Sequence, residues 1–187
     1  MKTYLKKPAI VHALLAGAVL LSVKLVLAYT GNWTLRLGNN YTFLSFAVIL
    51  ISMFLAGFGE RKIRDKFNYW QAFGSAVISM SIVVFLSLLG DQIAYRTIPN
   101  LAEMAKEFNL EKLTETFGKT KLFGANLQEE IISESEKMPA SQIYSIGSFL
   151  VSLLTFCFLN SLWAFLVAAA TRKPKDSIST DTFNERF

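Results

Sequence analysis

Apolar residues are concentrated in four long segments that are separated by polar or basic stretches. The segments are Ile10–Tyr29, Tyr41–Phe58, Gln71–Tyr95 and Ile143–Ala170, with lengths of 20, 18, 25 and 28 residues. A helix needs roughly 20 apolar residues to cross the hydrocarbon core, and in lipid it satisfies its backbone hydrogen bonds internally. The pattern therefore predicts an all-α protein built as a four-helix transmembrane bundle.

Two other interpretations of these segments account for the sequence less well. Four buried helices of a soluble domain would leave too little polar chain to cover them. The first segment also resembles a secretory signal peptide, because Lys2, Lys6 and Lys7 precede it and Val26–Ala28 is a possible cleavage site. Its apolar stretch exceeds the usual h-region of about 7–15 residues, and Lys24 would lie just before the cut. We therefore expect a retained membrane anchor.

Basic residues cluster in three segments that a four-span topology places on one side: 1–8, 59–69 and 171–187. Together these segments hold eleven Lys and Arg in 36 positions, whereas the long loop 96–142 has six basic residues and eight Glu in 47 positions. Loops rich in Lys and Arg tend to stay in the cytoplasm. The distribution predicts cytoplasmic N- and C-termini, with loop 96–142 on the outer side.

The long loop has the pattern of a helical hairpin. Pro99 suits the first turn of one helix and Gly118 its end, while Asn126 can cap a second helix that Pro139 ends. The apolar residues expected to be most buried are Leu101, Met104, Phe108, Leu113, Ile131 and Ile132, and all but Ile132 are candidates for binding a partner. The acidic residues expected to be exposed are Glu103, Glu107, Glu111 and Glu115. The apolar side is covered by the other helix, by the membrane surface or by a partner protein.

These patterns divide the chain into four parts. Residues 1–95 form the first three membrane helices, and residues 96–142 form the hairpin insert on the outer side. Residues 143–170 form the fourth membrane helix, and residues 171–187 form a polar cytoplasmic tail. The fold expected is thus a bundle with one extramembranous hairpin between its third and fourth helices.

Composition narrows the chemistry that is available. The residues AVILMFWYC make up 52% of the chain and charged residues only 18%, with a single cysteine and a single histidine. One cysteine gives no intrachain disulfide and no Cys-based zinc site, and the common phosphate-binding, nucleophile and zinc-protease motifs are absent from the sequence. The excess of Lys and Arg in three segments is explained by their cytoplasmic location and does not require a nucleic-acid partner. We therefore expect no catalytic site, no metal, no cofactor and no nucleic-acid partner.

Two charged residues, Lys24 and Asp91, and one asparagine, Asn160, lie inside the apolar segments. Such residues are costly in hydrocarbon and are therefore candidates for a structural or functional site. Asn160 more often hydrogen-bonds a neighbouring helix than a ligand. Near the cytoplasmic ends, a contact between His12 and Glu60 is possible, although a solvated interfacial His12 accounts for the sequence better.

Lys24 and Asp91 lie at matching depths. Lys24 is five residues before Tyr29 and Asp91 is four residues before Tyr95, where the two segments end. At 1.5 Å per residue these spacings correspond to depths of roughly 7.5 and 6 Å. The match predicts an ion pair between the first and third helices. The alternatives are a Lys24 side chain that extends to the lipid headgroups, and a substrate or ion site.

A family resemblance appears in the third segment. The stretch Phe67–Ser75 (FNYWQAFGS) resembles a recurring opening in small inner-membrane proteins of Bacteroidota, and so does the exit at Ile98-Pro99 before a Glu/Lys-rich insert. On these residues the chain resembles the domain-of-unknown-function 4199 family over about Pro8 to Lys173. The family pattern has a Gly soon after an aromatic–x–x–Ala–Phe entry, and here Gly74 follows at once. The resemblance implies four helices, a periplasmic insert and a bacterial inner membrane, but no reaction.

These expectations favour a non-enzymatic integral inner-membrane protein, an accessory or assembly subunit of a larger complex that docks through its hairpin. The alternative is a small transporter or channel that acts as a homo-oligomer and uses Lys24 and Asp91. A membrane enzyme comes third. The expected partners are the lipid bilayer and another membrane protein or a second copy. Co-purification at fixed stoichiometry would favour the subunit, and a polar cavity around Lys24 would favour the transporter.

Overall fold

The computed structural model describes residues 7–32, 34–35, 38–64, 66–119 and 124–173. The polar tail predicted for residues 171–187 therefore lies mostly outside the described residues. The principal helices are α1 (Pro8–Tyr29), α2 (Asn39–Ile63), α3 (Tyr69–Thr97), α4 (Leu101–Lys119), α5 (Ala125–Lys137), α6 (Ala140–Ile143) and α7 (Ile146–Thr171).

Four of these helices, α1, α2, α3 and α7, are long and apolar enough to cross a membrane. They coincide with the four predicted segments but differ at their ends. Helix α2 continues beyond Phe58 to Ile63, because Arg61 and Lys62 suit the last turn of a helix. Helix α7 begins at Ile146 rather than at the predicted Ile143, since the Ser145 side chain caps it by accepting a hydrogen bond from the Ser148 amide.

Helix α3 is the centre of the bundle. It packs against α1, α2 and α7, and α2 also contacts both α1 and α7. The core between them is built from small and medium apolar side chains, with Met53, Met80 and Val83 fully buried. Two glycines bring α1 and α3 close together: Gly17 faces Leu86, and Gly90 faces the backbone of Leu21. Close approach of α1 and α3 is what positions the polar residues described below.

The connection between α2 and α3 closes one end of the bundle, which we call the loop side. Asn68 and Gln71 form a capping box that starts α3. Phe67 is 2% exposed, and its carbonyl accepts a hydrogen bond from the Lys173 amide beyond α7. Lys173 Nζ also donates to the Arg64 carbonyl at 2.5 Å. The ends of α2, α3 and α7 are thereby fixed to one another.

Helices α4 and α5 form a helical hairpin at the opposite end, which we call the hairpin side. Lys106 Nζ on α4 donates to the Glu136 carbonyl on α5 at 2.8 Å. The predicted ends need correction. Pro99 lies in the turn before α4, where Asn100 adopts a positive φ of 59°. Helix α5 is preceded by Gly124 at the N-cap, so Asn126 lies inside the helix and does not cap it.

Burial within the hairpin follows the prediction in part. Leu101 is 2% exposed, and the acidic series is exposed as expected. The half-buried members of the predicted set are Phe108, Leu113, Ile131 and Ile132. The prediction for Met104 is wrong, because it is 37% exposed and Ala105 is buried instead. Leu101 and Ala105 are four residues apart on one face of α4, and Met104 lies to the side of that face.

Candidate ligand site within the bundle

The predicted ion pair joins α1 and α3. Lys24 Nζ lies 2.6 Å from Asp91 Oδ2, and the two side chains are 10% and 19% exposed. The pair can form because the close α1–α3 packing at Gly17 and Gly90 brings both backbones within reach. Close to it, Tyr29 Oη donates to Thr97 Oγ1 at 2.7 Å and ties the ends of the same two helices together. Pairing, and not extension of Lys24 to the headgroups, is therefore the arrangement observed.

An aromatic ring from α2 covers the ammonium group of the pair. Lys24 Nζ lies 5.9 Å from the centroid of the Tyr41 ring, a distance at which the cation is attracted to the ring face. Tyr41 is buried, and its hydroxyl donates to the Leu20 carbonyl on α1 at 3.4 Å. Three helices thus contribute to the surroundings of one charged side chain.

The pair lines a cavity of about 320 Å³ between α1, α2, α3 and α7. Asn160, in the middle of α7, also lines this cavity. The structure therefore brings Lys24, Asp91 and Asn160 to the same space. The apolar part of the wall consists of Phe46, Ile49, Val84, Leu88 and Phe156.

Three hydrogen-bonding groups in the cavity wall lack partners among the described residues. Ser45 Oγ is buried without a partner. Ser87 is 8% exposed, and no hydrogen bond of its hydroxyl is found within the described part of the chain. Asn160 is 7% exposed, and its Nδ2 donates to the Phe156 carbonyl at 2.8 Å, whereas no described residue donates to its Oδ1. Buried polar groups are normally hydrogen-bonded, so Ser45 Oγ marks a place for another molecule, and Ser87 and Asn160 line the same cavity.

A comparison with Ser52 and Ser79, which lie deeper in the bundle, shows why the hydroxyls of Ser45 and Ser87 lack partners. Ser52 on α2 and Ser79 on α3 are fully buried, and their hydroxyls are 2.7 Å apart. Ser45 and Ser87 lie about two helical turns closer to the hairpin side, on the corresponding faces of the same helices. Their hydroxyls do not bond each other, because the cavity separates α2 from α3 at that level.

Ser45 and Ser87 were not among the residues selected from the sequence. A signal was nevertheless present in α3, where polar residues recur with a period of four at Ser75, Ser79, Ser87 and Asp91. Three of these residues are buried, and Asp91 is half-buried. Residues four apart are neighbours on a helix surface, and a stripe of polar neighbours in an apolar helix indicates a surface turned away from lipid.

A tyrosine from α3 separates the bundle cavity from a second cavity on the hairpin side. The second cavity has a volume of about 390 Å³, and its wall includes Arg96, Glu103 and Ser145. Tyr95 lines both cavities, and its ring lies 4.0 Å, centroid to centroid, from the ring of Tyr144. The Tyr95–Tyr144 contact thus stands between the bundle cavity and the hairpin.

The other polar residues considered from the sequence do not join this site. Glu60 is 2% exposed and accepts a hydrogen bond from Arg64 Nε at 2.8 Å, one turn later in the chain. His12 is half-buried near Gly59, and no hydrogen bond between it and Glu60 is found in the described part of the chain. Within that part, the residues also include no group of three or more His, Cys, Asp or Glu side chains that could hold a metal ion.

The fold and the site together define a multi-pass integral membrane protein whose helix bundle has a mainly apolar cavity that contains an ion pair. The chain belongs to the family described as "Protein of unknown function (DUF4199)", whose model matches residues 12–173. This match covers all four long helices except the first turn of α1. No curated protein and no solved structure matches the chain.

Proposed function

We propose that the protein is a small, non-enzymatic membrane transporter whose substrate site is the bundle cavity. The observation that carries this proposal is the cavity itself, which contains the Lys24–Asp91 pair and has unpartnered polar groups in its wall. Ionisable residues inside a membrane bundle are retained mainly where they serve a pathway or a site. The sequence favours an accessory subunit, and the cavity around Lys24 shifts the balance to the transporter.

The position of the cavity also supports a transport role. Substrate sites of transporters lie deep in the bundle, between helices, and Asn160 is near the middle of α7. The volume of about 320 Å³ falls at the lower end of the range for small-molecule pockets. Tyr95 and Tyr144 are placed to separate this site from the hairpin-side cavity. The apolar exposed faces of α1 and α7 leave room for a second copy in a homo-oligomer.

Thiol labelling tests whether the cavity admits small molecules. In a Cys157→Ser background, Ser45→Cys and Ser87→Cys each place a thiol in the cavity wall, and Ser79→Cys places one outside it as a matched control. We expect a small methanethiosulfonate reagent to modify the two cavity thiols roughly tenfold faster than the Ser79→Cys thiol, because access limits thiol reactivity. Mass spectrometry of the solubilised protein measures the rates. Equal, slow labelling at all three positions would contradict a substrate site.

The proposed location is the bacterial inner membrane, with both termini in the cytoplasm and the hairpin in the periplasm. The excess of Lys and Arg in 1–8, 59–69 and 171–187 supports this orientation. In this orientation the cavity lies closer to the periplasmic side, since Lys24 and Asp91 are near the hairpin ends of their helices. The same Ser87→Cys variant should therefore be labelled when the reagent is added outside intact spheroplasts.

A second candidate function, the accessory or assembly subunit, is favoured by the hairpin. Met104, Leu127 and Met138 are 37%, 45% and 43% exposed, although the hairpin lies outside the long apolar helices. Exposed apolar residues on a polar element are candidates for a binding surface. The partner that this surface would bind is another membrane protein, through the exposed Met104, Leu127 and Met138; of the residues selected from the sequence, Leu101 is buried and only Met104 belongs to this surface.

Gentle extraction distinguishes the subunit from the transporter. We expect a subunit to be recovered with the same protein at constant stoichiometry, and the combined Met104→Ser, Leu127→Ser and Met138→Ser variant to lose that protein. A variant with Ser at the exposed acidic positions Glu107 and Glu111 serves as the control and should retain it. Quantitative mass spectrometry of the eluted complex gives the stoichiometry. Recovery of the protein without a constant companion would contradict the subunit role.

A further inference from the structure

The cavity wall combines a large apolar part with a few hydrogen-bonding groups. Phe46, Ile49, Val84, Leu88 and Phe156 form the apolar part. Water alone would satisfy the polar groups but would face this apolar surface at a cost, since buried waters need two to four polar partners. A molecule with an apolar body and a small polar head matches both parts of the wall.

The ion pair argues against a charged occupant. Lys24 and Asp91 already neutralise each other at 2.6 Å, so a ligand with a net charge would add an uncompensated charge to a poorly solvated interior. The groups that remain to be satisfied are two hydroxyls, of Ser45 and Ser87, and the amide oxygen of Asn160. A serine hydroxyl both donates and accepts, and an amide oxygen only accepts. A complementary head group is therefore uncharged and both donates and accepts hydrogen bonds, as a hydroxyl does.

The exposed residues of the cavity wall indicate the environment from which a ligand arrives. Two lining residues are exposed on the bundle surface, Thr42 on α2 and Phe156 on α7. Their exposed neighbours include Phe43, which is 75% exposed, and Leu159, which is 53% exposed. Because these exposed apolar side chains lie on the surface of a membrane helix bundle, this part of the cavity wall is next to hydrocarbon. That environment supplies amphipathic, lipid-soluble molecules.

We infer that the cavity binds an uncharged, hydroxyl-bearing amphipathic lipid, with its head group hydrogen-bonded to Ser45, Ser87 and Asn160. The inference rests on the proposed function, because it names the substrate class of the same site. The apolar chain of the lipid lies along the wall formed by Phe46, Leu88 and Phe156. The Lys24–Asp91 pair stays intact and lines the site.

Four probes that share one decyl or decanoyl chain and differ in the head group test the inference. They are 1-monodecanoylglycerol, methyl decanoate, decanoate and decylamine, each titrated against the full chain in phosphatidylcholine nanodiscs and followed by native mass spectrometry. We expect 1-monodecanoylglycerol to saturate at a single molecule per protein. We expect its affinity to exceed that of methyl decanoate by roughly tenfold, since the ester lacks a hydroxyl.

Variants assign the binding to the three polar groups. We expect the double variant Ser45→Ala, Ser87→Ala and the single variant Asn160→Leu each to weaken 1-monodecanoylglycerol about tenfold. Ser79→Ala, which removes a buried hydroxyl outside the cavity, is the matched control and should bind as the unmodified protein does. Unchanged binding in the cavity variants would overturn the inference, because the head group would then lie elsewhere.

The remaining outcomes separate this inference from the function on which it rests. Tighter binding of decanoate or decylamine, lost on Lys24→Met or Asp91→Leu, would overturn the uncharged class and leave the substrate site standing. Binding of no probe above the level of the variants would overturn the inference and leave the proposed substrate site to the thiol measurements. The thiol measurements test the proposed function without any ligand, so the two failures remain distinguishable.

Discussion

Replacing Lys24 with Met is expected to lower the free energy of unfolding by about 3 kcal/mol, near the lower end of the cost of breaking a buried ion pair. The reason is that the Asp91 carboxyl would remain in the bundle after losing the ammonium group that now lies 2.6 Å from it. The expected loss of free energy is near the lower end of that range because the Asp91 side chain is 19% exposed. Denaturant unfolding in detergent, followed by circular dichroism, measures the change.

The double variant tests whether the two residues act as a pair. Lys24→Met combined with Asp91→Leu removes both charges, so most of the stability lost in Lys24→Met should return. Lys62→Met is the matched control, since Lys62 is exposed at the end of α2, and a change within about 0.5 kcal/mol is expected. A double variant no more stable than Lys24→Met would show that the charges are not coupled.

The sequence predicts this pair because depth along a helix is a property of spacing alone. Lys24 and Asp91 are each about one turn from an aromatic residue that ends its segment, so their heights match without any knowledge of packing. Spacing does not reveal which helices are neighbours. The adjacency of α1 and α3 depends on Gly17 and Gly90, whose role as close contacts follows from the packed structure.

The cavity could not be predicted from the sequence in the same way. Asn160 belongs to a different helix, and only the packing of α7 on α2 and α3 brings it to the space beside Asp91. Ser45 and Ser87 are common residues in membrane helices, and what distinguishes them is the lack of a partner across the cavity. For Met104 the prediction was wrong. Its hydrophobicity suggested burial, but its angular position on α4 leaves it exposed.

Gly57→Ala is expected to destabilise the bundle by about 1–3 kcal/mol, the usual cost of inserting a methyl group into a packed core. A Cβ at Gly57 would lie 2.6 Å from Thr171 Oγ1 and 2.8 Å from both Thr171 Cβ and Cγ2. Thr171 cannot move aside easily, because it is fully buried and its hydroxyl donates to the Val167 carbonyl at 2.9 Å. Helices α2 and α7 must therefore separate at the loop side.

Gly74→Ala supplies the matched control, because it makes the same chemical change inside another membrane helix. No atom lies within 4 Å of a Cβ added at Gly74, so the alanine meets open space. Alanine is favoured over glycine in a helix interior by about 1 kcal/mol, and Gly74→Ala should therefore be neutral or stabilising. Adding Thr171→Ala to Gly57→Ala removes Oγ1 and Cγ2 and should recover part of the lost stability. Equal unfolding free energies for Gly57→Ala and Gly74→Ala would show that α2 and α7 do not pack closely at Thr171.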